Sequence, residues 1–215
     1  MRKIPCCFIL FFVVLLLPFA GFAITLEQAL EAYRQHNYPV AFSYFLQQAE
    51  KGDVKAQNVV GLFYNEGLGT PKNTKKAFHW YKKASLNGNA SAQNNLASMY
   101  HHGIATPRNY RKALYWYRKS ARQGNADALN NIARMYELGQ GVRKSTRNAI
   151  VWHRRAAKKG NVYSQFRLGA IFELGKGVAK NKEKALYWYS LAAERGHKLA
   201  KQKVLLLKPY SELFK

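Results

Sequence analysis

Residues 167–196, RLGAIFELGKGVAKNKEKALYWYSLAAERG, contain the elements from which the fold can be inferred. The tryptophan and the final glycine of this stretch each recur every 36 residues along the chain, and so does a small residue just before it. The three columns are Trp80, Trp116, Trp152 and Trp188; Gly88, Gly124, Gly160 and Gly196; and Ala56, Ala92, Ala128, Ser164 and Ala200. Independent columns with one spacing predict a chain built from internal repeats.

Each repeat begins with a pattern that we name helix A. Its apolar residues stand at i, i+4, i+7 and i+8, the spacing of one helical face, as in Ala56, Val60, Phe63 and Tyr64. A glycine column follows, and a glycine in the left-handed conformation commonly ends a helix. This column consists of Gly67, Gly103, Gly139 and Gly175. Helix A is therefore predicted to end there in every repeat.

A second pattern, helix B, follows a short loop. It begins at a column of good N-cap residues, namely Asn73, Asn109, Ser145 and Asn181. Its apolar stripe has the spacing i, i+3, i+4 and i+7, as in Ala77, Trp80, Tyr81 and Ala84. We expect the tryptophan and tyrosine to fill the space between layers as core residues rather than to bind a cofactor.

Two-helix repeats of this kind bury their apolar faces only against neighbouring repeats. The prediction is an all-α fold, a right-handed α-solenoid of stacked helix–turn–helix repeats. The division that we predict is a signal peptide at 1–23, an N-terminal capping hairpin of tetratricopeptide type at 24–52, repeats at 53–88, 89–124, 125–160 and 161–196, and a C-terminal capping helix with a tail at 197–215.

The first residues have the pattern of a targeting segment. Arg2 and Lys3 precede an apolar run, and residues 21–23 offer small residues where a signal peptidase cleaves. Cleavage after Ala23 predicts an exported chain, periplasmic or secreted if bacterial. The alternative is an uncleaved N-terminal anchor, since the apolar run is nearly long enough to span a bilayer. The two cysteines, Cys6 and Cys7, both lie in this segment, so an exported chain would hold no disulfide and no thiol nucleophile.

The repeats resemble the Sel-like repeat family, a tetratricopeptide-type class. The clearest stretches are residues 167–177 (RLGAIFELGKG) and 184–193 (KALYWYSLAA), and the resemblance covers residues 26–207. It implies a scaffold, such as an adaptor in envelope or secretion systems or a host-interaction factor. One cysteine-rich branch is associated with β-lactam binding or hydrolysis. The chain departs from the family pattern at Ala97 and Ala105, which replace glycines, and in its lack of cysteine after residue 7.

Motifs for catalysis are missing from the sequence. No serine is followed three residues later by lysine, and there is no His-Glu-x-x-His or Gly-x-Gly-x-x-Gly pattern. His101 and His102 are adjacent, and we predict that they are solvated loop residues rather than metal ligands. We therefore expect a protein that is not an enzyme and that needs no cofactor or metal. The alternative is a β-lactam-binding or cell-wall-acting hydrolase.

Two sets of polar residues are candidate interaction surfaces. Helix A carries asparagines that we expect to avoid the core and to line the concave side, where stacked amides can bind a peptide backbone. They are Asn58, Asn94 and Asn130 in one column and Asn95 and Asn131 in the next. The alternative is an ordinary solvated polar face.

The second set follows from charge. The chain has 35 Lys+Arg against 11 Asp+Glu, a formal net charge of +24, which favours an anionic partner. Four basic columns are expected to form an outward ridge on the convex side, which we name the basic ridge. It consists of Lys72, Lys75, Lys82, Lys83, Arg108, Arg111, Arg118, Lys119, Lys144, Arg147, Arg154 and Arg155. The alternative is that these charges only keep the protein soluble.

The sequence thus predicts an exported, monomeric protein–protein interaction scaffold. Its concave groove would bind a protein or peptide, and the basic ridge would contact an anionic membrane or lipopolysaccharide surface. Nucleic acid is disfavoured as a partner, because exported proteins rarely meet it and no nucleic-acid-binding motif is present.

Overall fold

The computed structural model describes residues 24–207. Eleven α-helices make up this part of the chain: α1 (Leu26–Arg34), α2 (Tyr38–Glu50), α3 (Val54–Glu66), α4 (Thr74–Leu86), α5 (Ala90–His102), α6 (Tyr110–Arg122), α7 (Ala126–Leu138), α8 (Thr146–Lys158), α9 (Val162–Leu174), α10 (Lys182–Glu194) and α11 (Lys198–Leu207). The predicted signal segment at 1–23 and the tail at 208–215 lie outside the described residues.

The helices stack in chain order. Each one packs mainly against the helix that precedes it and the helix that follows it, with the tightest packing inside the helix A–helix B pairs of the four full repeats. This is the arrangement of a solenoid, in which an apolar face is buried by the neighbouring layer. The predicted all-α solenoid is confirmed. None of the helices within residues 24–207 has the length and hydropathy needed to cross a bilayer.

The helix ends lie where the columns predict them. In the first repeat, Oδ1 of Asn73 accepts a hydrogen bond of 3.0 Å from the backbone N–H of Lys76, which caps α4. Gly67 ends α3 in the left-handed conformation with φ of 78°. The three later copies of each cap have the same geometry. Local capping chemistry therefore fixes the period of the solenoid.

The aromatic residues of helix B are buried to two different extents, which the sequence did not predict. The tyrosines Tyr81, Tyr117 and Tyr189 are buried, whereas the tryptophan one position earlier is only half-buried in all four repeats. Tyr81 and Tyr189 fit against glycines of helix A, since a Cβ on Gly61 or Gly169 would lie within 3 Å of the facing ring. The tryptophans pack against the core as expected but are only partly buried, and tyrosine is the residue that fills the interior.

Candidate functional site

The helix A asparagines form hydrogen-bonded pairs between successive repeats. Nδ2 of Asn95 on α5 donates to Oδ1 of Asn58 on α3, and Nδ2 of Asn131 on α7 donates to Oδ1 of Asn94 on α5, both at 3.2 Å. All four residues are half-buried. The structure therefore brings the two predicted columns together, but half of each amide is already used inside the protein.

Asn130 departs from the prediction. It is only 9% exposed, and its Oδ1 accepts a 2.9 Å hydrogen bond from the hydroxyl of Ser164. The expectation that this residue avoids the core is wrong, because Ser164 stands where other repeats have alanine and draws the amide inward. Asn130 supports the wall of the site rather than presenting a free amide.

A groove of about 640 Å³ lies over these residues, where α5, α7 and α9 meet. We name it the helix-A groove. Its lining is Asn94, Asp127, Asn130, Asn131, Arg134, Glu137, Leu138, Asn161, Tyr163, Phe166 and Arg167. Amides, both signs of charge and aromatic rings therefore share one concavity, which is the mixed chemistry of a protein- or peptide-binding surface.

Of the groove residues that the sequence analysis did not identify, Tyr163 has the most exposed aromatic side chain. Its side chain is 68% exposed, a large exposure for an aromatic ring beside a cavity. Exposed tyrosines at the centre of an interface often carry much of the binding energy. The sequence signal was available, because the same position of helix A is polar in the three preceding repeats, at Lys55, Ser91 and Asp127.

Charge in the groove is organised by an ion pair. Nη2 of Arg167 lies 2.6 Å from Oε1 of Glu137, and Nε2 of His153 approaches the same oxygen at 3.5 Å. Burial by itself would raise the pKa of the Glu137 carboxyl. The charge-assisted hydrogen bond from Arg167 and the nearby imidazole of His153 more than offset this effect and lower the pKa to about 2. Glu137 is thus a fixed negative charge in the groove.

Beneath the groove lies a buried polar chain. Nδ1 of His153 is 3.0 Å from Oγ of Ser164, and both residues are 0% exposed. His153 stands in the buried tyrosine column, and Ser164 stands in the alanine column. Both exceptions are visible in the sequence, but only the structure shows that they touch each other.

The His153–Ser164–Glu137 cluster has the residue types of a hydrolase triad but not its geometry. Ser164 donates its single proton to Asn130, so Nδ1 of His153 must be the donor in its contact with Ser164. An imidazole that already carries a proton there cannot accept the one on the serine hydroxyl. Since the hydroxyl is also fully buried, the cluster is a structural network.

His101 and His102 end α5, so the prediction that they lie in a loop is wrong. Nε2 of His101 is 2.7 Å from Oε1 of Gln140, and burial lowers the pKa of this half-buried imidazole. Within residues 24–207, no cluster of three or more His, Cys, Asp or Glu side chains is placed to hold a metal ion.

The basic ridge divides into freely projecting cations and cations that lie on aromatic rings. Most of its residues are exposed, including the complete column before the helix B cap. Lys83, Lys119 and Arg155 lie 4.9–5.2 Å from the ring centroids of the half-buried tryptophans on their own helices. In the first three full repeats the indole thus forms a platform for a surface charge, whereas Trp188 of the fourth repeat is half-buried although Leu191 stands in the position of the cation. Two further cations, Arg108 and Arg154, lie 5.4 and 5.8 Å from the ring centroids of Tyr110 and Phe172.

Cations of adjacent repeats also share concavities on this face. A cavity of about 230 Å³ is lined by Arg111, Arg118, Lys119 and Arg122 of α6 together with Leu114, Tyr115 and Gly141. A larger one, described below, continues from Arg118 towards α8. The middle of the basic ridge therefore lies around two hollows that share Arg118 and Arg122 in their linings.

Comparison with known proteins agrees with this architecture. The sequence model of the Sel1 repeat family matches residues 54–89, 90–125, 126–161 and 162–197, which is more than half of the chain. The chain is a Sel1 repeat protein. Sel1 repeat proteins generally mediate protein–protein interaction and are generally not enzymes. No curated protein matches the chain.

Solved structures show the same fold. A Sel1 repeat protein from Oxalobacter formigenes is 32% identical, with a TM-score of 0.78 over 84% of this chain and 74% of that one. A protective antigen present in uropathogenic Escherichia coli strains, which displays an SLR fold, is 28% identical with a TM-score of 0.73 over 82% of this chain and 39% of that one. An immunity protein from Pseudomonas aeruginosa is 25% identical, with a TM-score of 0.57 over 80% and 67%.

Proposed function

We propose that this Sel1 repeat protein is an exported, non-enzymatic scaffold that binds a protein partner in the helix-A groove. The observation that carries the proposal is the exposed ring of Tyr163 beside the Glu137–Arg167 ion pair and the paired asparagines. An aromatic anchor surrounded by fixed charges and amide groups fits an extended peptide, because the amides hydrogen-bond its backbone and the charges set its register.

Rigidity of the groove supports the same proposal. The Asn94–Asn131 bond joins two repeats, and the Ser164–Asn130 bond joins the third repeat to the fourth. Groups held in place before the partner arrives lose less conformational freedom on binding. The similarity to an immunity protein and to a protective antigen is in keeping with a role in contacts between proteins.

The test is capture of a partner from the native compartment with two matched pairs of variants. Tyr163→Ala and Arg134→Glu change exposed residues of the groove, whereas Tyr187→Ala and Arg147→Glu change residues of the same types on α10 and α8. We expect the first pair to lose the partner and the second pair to keep it. A partner that all four variants retain equally would overturn the groove as its binding site.

Export and contact with an anionic surface belong to the same proposal. The basic face supports contact with an anionic membrane leaflet or with lipopolysaccharide, and the pattern of residues 1–23 supports export. Amino-terminal sequencing of the protein recovered from outside the cytoplasm is expected to begin at Ile24. Recovery of protein that begins at Met1 would instead indicate an anchored chain.

A further inference from the structure

The turn between successive repeats is bridged by side chains at two of its copies. Nε2 of Gln123 donates to the carbonyl of Gly88 and to Oε1 of Gln93, both at 2.9 Å. At the turn two repeats later, Nη1 of Arg195 donates to the carbonyl of Gly160 at 3.2 Å. A side chain from one repeat thus crosses to the turn of the preceding repeat and closes the space between them.

The middle turn, between the second and third repeats, lacks this bridge. Lys159 stands in the column of Gln123 and Arg195, and within residues 24–207 its side chain makes no hydrogen bond to Gly124. Leu129 stands where Gln93 stands one repeat earlier, so the amide that would receive a bridging side chain is also missing. Lys159 and Leu129 both differ from the repeat pattern, so the junction between the second and third repeats is left without a bridging side chain.

The opened junction is a cavity of about 960 Å³ between α6, α7 and α8, which we name the basic pocket. Ala121, Leu129 and Trp152 supply its apolar surface. Its charged lining consists of Arg118, Arg122, Arg155, Lys158 and Lys159, and no acidic side chain lines it. Within the described residues, none of these five cations takes part in an ion pair.

Five uncompensated cations around one hollow repel one another and attract an anion of high charge. Field lines concentrate in a cleft with apolar walls, so the potential exceeds that of the same charges on a flat surface. Arginine donates two parallel hydrogen bonds to a phosphate, and lysine adds a point charge. The volume lies in the range of pockets that hold small organic ligands, well above what inorganic phosphate fills.

We propose that the basic pocket binds a ligand that carries two or more phosphate groups on a compact organic body. The phosphates would contact the arginines and lysines, and the organic body would lie on Leu129 and Trp152. A phosphorylated lipid headgroup and a free sugar bisphosphate share this chemistry. The proposal uses no residue of the helix-A groove, so loss of protein capture and loss of phosphate binding are separate results.

The test introduces into the middle junction the side-chain bridge that is present at the preceding turn. Leu129→Gln with Lys159→Gln recreates the Gln93–Gln123 pair in the middle junction, which closes the pocket and removes one charge. The control Lys55→Gln removes one exposed charge on α3, outside the basic ridge and remote from the pocket in sequence. Binding of fructose 1,6-bisphosphate is measured by calorimetry at physiological salt. We expect the double variant to bind at least about tenfold more weakly and the control to bind like the wild type.

A parallel arm identifies the source of the phosphates. Vesicles of phosphatidylcholine with and without phosphatidylinositol 4,5-bisphosphate are compared with the soluble bisphosphate, and preferential binding to either phosphate source supports the proposal. If the double variant does not fold, Lys158→Gln and Lys159→Gln singly replace it, because both residues are exposed. No binding to either source, or equal loss in the control, would overturn the proposal.

Discussion

Nδ1 of His153 on α8 lies 3.0 Å from Oγ of Ser164 on α9, and both are exceptions to columns that hold tyrosine and alanine in other repeats. An alanine at position 164 would give the buried imidazole no partner. A serine opposite a tyrosine would have no imidazole to contact. The two exceptions therefore depend on each other.

Coupling between these residues can be measured with a double-mutant cycle. Ser164→Ala leaves Nδ1 of His153 buried without a partner, which should cost about 1–3 kcal/mol of the free energy of unfolding. His153→Tyr combined with Ser164→Ala restores the pattern of the other repeats and should cost less than the sum of the single changes. Urea unfolding of the four proteins checks this, and strictly additive costs would contradict the coupling.

The stability of the protein should depend on Glu137 in acid. The pKa of this carboxyl is lowered to about 2 in the folded chain from an ordinary value of 4.5. Between these values the unfolded chain binds more protons, so the contribution is complete above about pH 5 and is lost as pH falls towards 2. The loss amounts to up to about 3 kcal/mol.

Glu137→Gln should flatten the fall in unfolding free energy over this range of pH. The control is Glu183→Gln, which removes an exposed carboxylate without an ion pair in the described residues. Its pH profile is expected to follow that of the wild type. Parallel profiles for Glu137→Gln and the wild type would show that the ion pair does not contribute to stability.

Three adjacent residues of α6 should differ in their effect on stability. Tyr117 is buried and fills the space between layers, so Tyr117→Ala should cost about 3–5 kcal/mol. The half-buried Trp116 packs on one side only, and Trp116→Ala should cost roughly half as much. Arg118 is exposed, and Arg118→Ala should stay within about 0.5 kcal/mol. An equal cost for Trp116→Ala and Tyr117→Ala would contradict the assignment of Tyr117 as the buried residue and Trp116 as the half-buried one.

The different burial of tryptophan and tyrosine could not be predicted from the sequence, whereas the helix ends could. The capping columns and the period of 36 residues fixed the helix ends, because capping is local chemistry. The tryptophan and tyrosine columns are neighbours on one stripe, so their spacing cannot say which one faces the interior. That choice depends on how each helix B packs against the helices before and after it.

The candidate sites show the same limit. Lys159 and Leu129 are visible as exceptions in their columns, yet they are 30 residues apart and meet only when the repeats stack. The asparagine columns were visible too, but hydrogen bonding between repeats decides which amides remain available. Sequence periodicity therefore locates the unusual positions, and stacking decides which of them act together.

The loop after α5 contains a residue under backbone strain. Ala105 has φ of 58°, whereas the equivalent positions in the other full repeats are glycines with φ of 65–72°. Ala105→Gly should stabilise the protein by up to about 1 kcal/mol, because the left-handed region penalises a Cβ. Gly141→Ala should destabilise it, since the new Cβ would lie 2.9 Å from Cβ of Tyr110. Thermal melting of both variants checks the opposite signs.

Binding of the basic ridge to anionic surfaces should depend steeply on salt. Exposed charges are screened over about 8 Å at physiological ionic strength, so retention on anionic vesicles should fall as salt rises. Arg111, Arg118 and Lys119 line one cavity at the middle of the ridge. Reversing these three charges to glutamate should abolish retention, because it replaces the strongest part of the positive potential with a negative one.

The fourth repeat supplies the control for this experiment. Glu183 and Ser190 occupy ridge positions that are basic in the first three repeats, so Glu183→Gln and Ser190→Ala should leave retention unchanged. Vesicles of anionic and of neutral lipid are compared at two salt concentrations, with circular dichroism to show that the triple variant is folded. Equal retention on both lipids would mean that the ridge does not recognise an anionic surface. An unchanged triple variant would mean that its charges serve solubility alone, which would leave the helix-A groove as the interaction surface.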